Sequence, residues 1–290
     1  MKLWRFRPKN APVITPIEAE RIIKEKPEKA NFSLGKHEDV EIQYEGSRLR
    51  FEYMGKEYEL DLSSLEDIAK QPERRVFALN NSEVFHLAWS SEEAYYQLIA
   101  VHPRHAPTVE INGIHMHRIK GILPFYDAKQ KVRRLRIRKG MKVLDICTGL
   151  GYTAIWERRF GGIVTTIEID ENILELAEWN PWSEELKDIT IIHGDAFEVI
   201  REFEDSSFHR VLNDPPRFSF AGELYSREFF KEIYRVLKPR GVLFQYTGRA
   251  RENIGKGIIK GVLSRLRDVG FIPRYDDSVQ GVIAIKPGKR

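Results

Sequence analysis

The spacing of apolar and polar positions differs between the two parts of the chain. Residues 48–53 and 56–62 alternate apolar and polar side chains around a glycine, which predicts a half-buried β-hairpin. A second hairpin is predicted over 108–119, where an Asn-Gly dipeptide favours a two-residue turn. The first part, residues 1–119, is therefore expected to form a small α+β domain.

Short polar motifs predict three helices in this first part. Thr15 begins a Thr-x-x-Glu capping box whose proline suits the first helical position. Two Ser-x-x-Glu motifs resemble further capping boxes. They predict helices near 65–71 and 92–101, preceded by Ser63 and Ser90.

From about residue 120 the pattern changes to buried strands that alternate with helical stretches. This rhythm predicts an α/β domain over 120–290, with a parallel sheet and helices on both faces. The two last apolar segments, near the C-terminus, are expected to be antiparallel neighbours. The predicted parallel strands are 142–147, 162–168, 189–193, 209–214 and 242–247.

The composition is that of a globular protein, with 42% hydrophobic residues and 31% charged residues. No apolar run approaches the ~18 residues that a membrane span needs, and the basic N-terminus lacks the apolar region of a signal peptide. The single cysteine, Cys147, excludes a disulfide framework and favours a cytoplasmic location. The high charged fraction is typical of heat-adapted proteins.

The net charge of +4 is unevenly distributed. Between Lys129 and Lys142, eight positions are basic and none is acidic, and a second basic stretch runs from Lys238 to Lys260. Such stretches can contact a phosphate backbone, although a solvated basic face explains them equally well. If the partner is RNA, Arg133 and Arg134 are the expected contacts, and no membrane partner is expected.

One strand and the turn after it have the pattern of a nucleotide-binding loop. The strand ends in Asp145, and Gly149 and Gly151 then let the backbone turn tightly and approach a ligand. The following helix would direct unpaired N–H groups towards that ligand. Glu168 ends the next strand about 20 residues on, where a carboxylate can hold both ribose hydroxyls.

These segments resemble the class I S-adenosylmethionine-dependent methyltransferases. Residues 145–151 resemble motif I, the Gly-Asp-Ala of 194–196 resembles the adenine-contacting motif, and the Asn-Asp-Pro-Pro of 213–216 resembles the catalytic motif. The resemblance covers about residues 120–288. It implies a Rossmann-like seven-stranded sheet and S-adenosylmethionine as cofactor. The cofactor-binding residues it implies are Asp145, Cys147, Gly149, Gly151, Glu168, Ile169, Asp195, Ala196 and Asn213.

Some of these residues also have a structural interpretation. Asp195 could simply cap a helix, and Cys147 could be a small packing residue, because no histidine lies at a spacing that indicates a catalytic pair. A nicotinamide-binding fold would favour a third glycine in the loop, where this chain has Ala154.

The predicted catalytic residues are Asn213, Asp214, Pro215 and Pro216. The prolines stiffen the backbone and carry no N–H, so that carbonyl and carboxylate oxygens remain as acceptors for an amine. In the resembled family this motif marks transfer of a methyl group to an amine or amide nitrogen, and an aromatic residue after it stacks on a base. The motif here is followed by Arg217 and Phe218, which are the predicted substrate contacts.

Two other functions compete with methylation of an RNA base, for which cytosine N4 in rRNA is our first hypothesis and tRNA the next. Residues 222–241 resemble spermidine and spermine synthases, which are aminopropyltransferases on the same fold. The third hypothesis is a non-catalytic, cofactor-retaining RNA-binding assembly factor. The His-x₂-His and His-x-His spacings near residues 102–117 lack a nearby cysteine, so no metal site is predicted. No oligomeric state is predicted from the sequence.

Overall fold

The computed structural model describes residues 1–80, 83–216, 221–248 and 253–288, with only the backbone described for 253–255. The strands are β1 (Lys2–Trp4), β2 (Val13–Ile14), β3 (Lys29–Ala30), β4 (Val40–Glu45), β5 (Arg48–Tyr53), β6 (Lys56–Asp61), β7 (Phe77–Asn80), β8 (Glu83–His86), β9 (Ala88–Ser90), β10 (Tyr95–Ile99), β11 (Thr108–Ile111), β12 (Ile114–His115), β13 (Lys142–Ile146), β14 (Ile163–Glu168), β15 (Thr190–His193), β16 (Phe208–Asn213), β17 (Leu237–Tyr246), β18 (Ile272–Asp276) and β19 (Gly281–Ile285). The α-helices are α1 (Pro16–Glu25), α2 (Leu62–Ala69), α3 (Pro124–Arg133), α4 (Tyr152–Arg159), α5 (Glu171–Trp179), α6 (Ala196–Val199), α7 (Arg227–Val236) and α8 (Asn253–Val269), and short 3-10 helices cover Pro181–Asp188, Ile200–Glu202 and Gly222–Tyr225.

The chain divides into two compact units. The first contains Met1–Phe6, Phe125–Glu171 and Glu185–Arg290, and the second contains Arg7–Pro124 and Asn172–Glu184. The division expected from the sequence was contiguous, whereas each unit is assembled from separate segments. Two segments account for the difference: residues 1–6, which include strand β1, belong to the first unit, and residues 172–184 belong to the second.

The first unit is built on an eight-stranded sheet with the order β1-β15-β14-β13-β16-β17-β19-β18. The strands from β15 to β17 are parallel, and β19 and β18 form the expected antiparallel end. This is the predicted Rossmann-like methyltransferase sheet with one additional strand. That strand, β1, pairs antiparallel with β15 and covers its edge, with Lys2 opposite His193.

Helices pack on both faces of this sheet, as the pattern predicted. Side chains alternate between faces along a strand, so neighbours on β16 belong to different cores. Val211 packs in the cluster that contains Phe229, Phe230 and Ile233 of α7. Leu212 packs instead with Val132 and Leu135, within and just after α3.

The second unit contains three small sheets, with the orders β2-β7-β8, β12-β11-β10-β9 and β3-β4-β5-β6. Both predicted hairpins are present, as β5–β6 and β11–β12. The turn between β11 and β12 needs Asn112 and Gly113, because both adopt positive φ angles, +48° and +79°.

Two of the three helix starts predicted for the first part are wrong. Thr15 does cap α1, and its Oγ1 accepts a hydrogen bond from the N–H of Glu18. Helix α2 begins at Leu62, with Asp61 as its N-cap residue, so Ser63 lies inside the helix. No helix covers 92–101: the Ser91 hydroxyl accepts the N–H groups of Glu93 and Ala94 in a turn, and strand β10 follows.

The described part of the chain contains no helix with both the length and the apolar character of a membrane span.

Candidate active site

Strand β13 ends beside a buried carboxylate. Asp145 is fully buried, and its Oδ1 accepts a hydrogen bond of 2.6 Å from Thr166 Oγ1. Its Oδ2 has no hydrogen bond of regular geometry among the described residues, although the Thr153 hydroxyl also acts on this carboxylate and opposes the rise in its pKa. Burial raises the pKa of Asp145 to about 7. A buried acceptor without a regular hydrogen bond costs free energy, which a ligand carrying N–H groups would recover.

The loop after β13 is held in a tight turn. The backbone N–H groups of Cys147 and Thr148 both donate to the carbonyl of Ile167 at 3.0 Å. Cys147, Gly149 and Gly151 all have positive φ angles, of +68°, +54° and +76°. Burial raises the pKa of the Cys147 thiol well above its ordinary value, so the thiol stays protonated and is suited to packing.

The two loop glycines are needed for different reasons. A Cβ added to Gly151 would lie 2.4 Å from Cδ1 of Leu186, so this glycine permits close packing in front of α4. A Cβ added to Gly149 would meet no atom within 4 Å and would project into open space. The space above Gly149 is therefore a cradle that a side chain would occupy.

Glu168 faces this cradle from the end of β14. Its Oε2 accepts the N–H of Gly149 at 2.9 Å, and its Oε1 accepts the N–H groups of Ile169 and Asp170 at 3.0 and 3.1 Å. Burial raises the pKa of Glu168, and these three backbone donors oppose that shift. Ile169, beside it, is 61% exposed, an unusual exposure for an isoleucine that a flat apolar ligand would cover.

Asp195 has the structural role that the sequence left open. It caps α6, and its Oδ1 accepts the N–H of Phe197 at 2.8 Å. Its side chain is nevertheless exposed, whereas Ala196 after it is buried. Capping engages one carboxylate oxygen and is compatible with a ligand contact by the other.

Strand β16 ends in an asparagine whose amide orientation is determined by its surroundings. Asn213 is fully buried, and its Nδ2 donates to the carbonyl of Leu224 at 3.0 Å and to Gln245 Oε1 at 2.7 Å. Both amide hydrogens are thus used, which identifies the remaining atom as oxygen. That Oδ1 atom is buried and has no donor among the described residues.

Asp214 is held by a lysine that the sequence analysis did not identify. Lys131 Nζ lies 2.6 Å from Asp214 Oδ2 and 3.4 Å from Asp127 Oδ2. The ammonium also lies over the ring of Tyr246, 4.4 Å from its centroid. Burial alone would lower the pKa of Lys131, but Asp214 and Asp127 outweigh it and raise that pKa, so Lys131 is a cation inside the protein.

The sequence contained a pattern that indicates an ion pair between Lys131 and Asp127. Asp127 and Lys131 are four residues apart on α3 and therefore lie on one helix face. The side chains of Val132 and Leu135, close by in the sequence, are fully buried. Because Lys131 stood within a run of basic residues, it was interpreted as part of an exposed surface.

The remaining predicted residues have different surroundings. The carbonyl of Pro216 accepts the hydroxyl of Tyr225 at 3.0 Å, which anchors the end of the motif. Arg134 is held within the first unit by Asp276 and Ser278, both at 2.9 Å, whereas Arg133 is exposed. Arg217 and Phe218 lie outside the described residues.

The residues at this edge of the sheet fit S-adenosylmethionine. The cofactor carries an ammonium group, two ribose hydroxyls and an adenine amine as donors. The edge offers matching acceptors in Asp145 Oδ2, Glu168 and Asp195, beside a cradle above Gly149. No group of three or more histidine, cysteine or acidic residues in the described ranges could hold a metal ion.

Replacing Gly149 with alanine is expected to weaken S-adenosylmethionine binding by at least about tenfold, because the added methyl group would fill the cradle. Gly46 is a matched control, since it has a similar φ of +61° and open space around its Cβ position but lies in a turn of the second unit. Both variants should lose about 1 kcal/mol of stability. Calorimetric titration separates them, and equal cofactor affinity in the two variants would contradict the role of Gly149.

Comparison with known proteins agrees with this site. Residues 143–241 match the family model described as a methyltransferase domain. The chain is 49% identical over 236 residues to uncharacterized protein MJ1233 of Methanocaldococcus jannaschii, covering 80% of each chain. It is also 37% identical over 123 residues to demethylmenaquinone methyltransferase of Staphylococcus aureus, covering 40% of this chain and 46% of that relative.

Among solved structures, spermidine synthase from Thermotoga maritima is similar with a TM-score of 0.56 and 20% identity, covering 72% of this chain and 77% of that one. At this identity the similarity concerns the fold. The methyltransferase domain match includes the glycine loop, Glu168 and the Asn-Asp-Pro-Pro segment. The chain belongs to the same family as the M. jannaschii protein, and it is a class I methyltransferase that uses S-adenosylmethionine.

Proposed function

We propose that the enzyme transfers a methyl group to an exocyclic nitrogen of a base in RNA, with cytosine N4 in rRNA as the first candidate and tRNA next. The observation that carries this proposal is the buried Oδ1 of Asn213, an oriented acceptor beside Asp214 at the end of β16. An exocyclic amino group has two N–H donors and is a natural partner for two adjacent acceptors.

The arrangement favours the chemistry of a neutral amine. When S-adenosylmethionine is bound, it supplies the methyl group on its sulfonium sulfur. Asn213 Oδ1 and the Asp214 carboxylate would accept the two N–H bonds, which directs the nitrogen lone pair away from them and towards the methyl group. The nitrogen that accepts the methyl group would give up one proton, which the Asp214 carboxylate or water would take. Positioning then supplies most of the acceleration.

The buried cation beside the motif supports a base rather than a polyamine as the substrate. Asp214 already has an ion pair with Lys131 at 2.6 Å. A polyamine carries several positive charges and needs free carboxylates, but Lys131 already neutralises one of the two carboxylates that it contacts. A cytosine amino group is uncharged and would not be repelled. This partial neutralisation favours a base over a polyamine as the substrate.

For the cofactor, we propose that Glu168 holds the ribose hydroxyls, Asp195 accepts from the adenine amino group, and Ile169 covers the adenine ring. The 61% exposure of Ile169 supports this assignment, since the ring would remove apolar surface from water. Asp145 would accept from the ammonium group. Cys147, Gly149, Gly151 and Ala196 would shape the cradle without polar contacts of their side chains.

For the RNA, we propose contacts by two exposed cations on and just after α3, Arg133 and Arg136. Arg134 is a weaker candidate than its neighbours, because Asp276 already neutralises it. Arg217 and Phe218 remain predicted contacts of the target base.

The test compares nucleosides from total RNA of cells with and without this gene, by mass spectrometry. We expect one methylated base to disappear and to return with the wild-type gene but not with a gene encoding Asp214→Asn. An unchanged RNA profile together with an altered polyamine profile would indicate aminopropyl transfer instead. Return of the methylated base with the gene encoding Asp214→Asn would indicate the non-catalytic assembly factor.

A further inference from the structure

A group of cationic and polar side chains lies at the amino ends of the parallel strands, opposite the edge that carries the candidate active site. Lys142 is the first residue of β13, and His209 is the second residue of β16. We call this group the amino-edge cluster, and it consists of Arg138, Lys142, His209, Arg210 and Lys238.

The fold brings these residues together from separate parts of the chain. Strands β13 and β16 are paired, and the N–H of Lys142 donates to His209 Nδ1 at 3.0 Å. Between β16 and β17 the register shifts, since Phe208 pairs with Leu237 but Arg210 pairs with Val242. Residues 238–241 therefore bulge out opposite His209, and they carry Lys238 into the cluster.

The cluster has no acidic counterpart among the described residues, since no carboxylate lies within ion-pair distance of its cations. Other exposed arginines of the same unit do have such partners. Arg158 pairs with Asp188 at 3.3 Å, and Arg201 pairs with Glu198 at 3.1 Å. Cations that gather without counter-ions repel one another and attract an anion from solution.

Two residues of the cluster have hydrogen-bond donors that are already oriented. The Arg210 guanidinium donates through Nε to the carbonyl of Leu135 and through Nη1 to that of His209, and its Nη2 has no acceptor among the described residues. His209 accepts at Nδ1, so its proton lies on Nε2, which is a donor. Burial, together with Lys238 and Arg210, lowers the pKa of His209 and favours this neutral form.

We infer that the amino-edge cluster binds a phosphate group of the RNA backbone, at a distance from the methylated base. The available Nη2 donor of the fixed Arg210 guanidinium, the Nε2–H donor of His209 and the surrounding ammonium groups match the oxygens and the charge of a phosphodiester. The identity of the ligand as RNA rests on the proposed function. Asp214 directly follows β16 and lies five residues after His209, or about 17 Å along the strand direction. At the ~3.4 Å rise of a B-form strand, that length corresponds to about five nucleotides, so the contact is distant from the target base.

The test uses the full chain and a fluorescein-labelled single-stranded RNA, because backbone binding does not depend on sequence. The double variant Arg138→Glu/Lys142→Glu changes two exposed residues of the cluster. Lys187→Glu/Lys231→Glu is the matched control, with the same change of net charge at two exposed positions elsewhere in the first unit and outside both basic stretches. Fluorescence anisotropy over a range of salt concentrations gives the affinity and its salt dependence, and circular dichroism checks folding.

We expect the cluster variant to bind RNA at least about tenfold more weakly, with a salt slope reduced by about 0.7, since each neutralised phosphate contributes about 0.7 on single strands. Methylation of a short cytidine oligonucleotide should be unchanged.

Equal affinity in both double variants would overturn the inference while leaving the proposed function intact. A cluster variant that loses RNA binding, in a protein that methylates no RNA base, would uphold this surface and reject the proposed function. Tight calorimetric binding of inorganic phosphate or AMP to the cluster would overturn the assignment to RNA.

Discussion

Replacing Asp214 with asparagine should lower kcat by about a hundredfold or more, with S-adenosylmethionine affinity changed less than about threefold. The asparagine keeps the size of the side chain but removes the charge that, in the proposed mechanism, holds the substrate amine and receives its proton. Loss of one positioned electrostatic group typically lowers kcat by about 10²–10³. A radiolabel transfer assay on RNA gives kcat, and calorimetric titration gives the cofactor affinity.

Asp205 provides the control for this prediction. It is also an aspartate in an ion pair, at 2.9 Å from Arg235, but it lies on the surface of the same unit. Asp205→Asn should leave kcat within about twofold of the wild type, because exposed ion pairs contribute little. If Asp214→Asn lost cofactor affinity and kcat in equal measure, Asp214 would belong to the cofactor site instead.

Replacing Lys131 with methionine should reduce the free energy of unfolding by about 3–5 kcal/mol, as expected when one partner of a buried ion pair is removed. Lys131 and Asp127 are nearly inaccessible, with side-chain exposures of 7% and 3%, and Asp214 is 19% exposed. Without the ammonium, two carboxylates would face each other with no counter-ion. Urea denaturation of the full chain measures the change.

Arg133 is the matched control, two residues further along α3 but exposed. Arg133→Met should change stability by less than about 0.5 kcal/mol. The double variant Lys131→Met/Asp214→Asn should recover part of the loss, since it removes one of the two stranded carboxylates. A loss in Lys131→Met no larger than that in Arg133→Met would mean that the ion network is not a buried electrostatic unit.

The local pattern of the sequence was sufficient for the catalytic half of the fold. Five buried strands, spaced by helical segments, determine a parallel sheet, because apolar runs of this length have few other ways to satisfy their backbone. The glycine loop was also predictable, because positive φ angles and a close approach of a ligand to the backbone allow few residue types other than glycine. The pattern failed at 92–101, where the Ser91 turn outweighed a capping motif of the same composition.

Only the tertiary structure decided how the charges are used. Lys131 and Asp214 are 83 residues apart and were assigned to a basic surface and a catalytic motif, yet they meet at 2.6 Å. The amino-edge cluster likewise depends on strand pairing and on a bulge that no local pattern reveals. The orphaned Oδ1 of Asn213 was hidden for the same reason, because Leu224 and Gln245 approach it from other segments. Hydrophobic periodicity is a local property of the chain, whereas the partner of a charge is set by packing between distant segments. The sequence by itself therefore determined the scaffold and the candidate site on it, and the folded chain determined which charges are paired, buried or left available to a ligand.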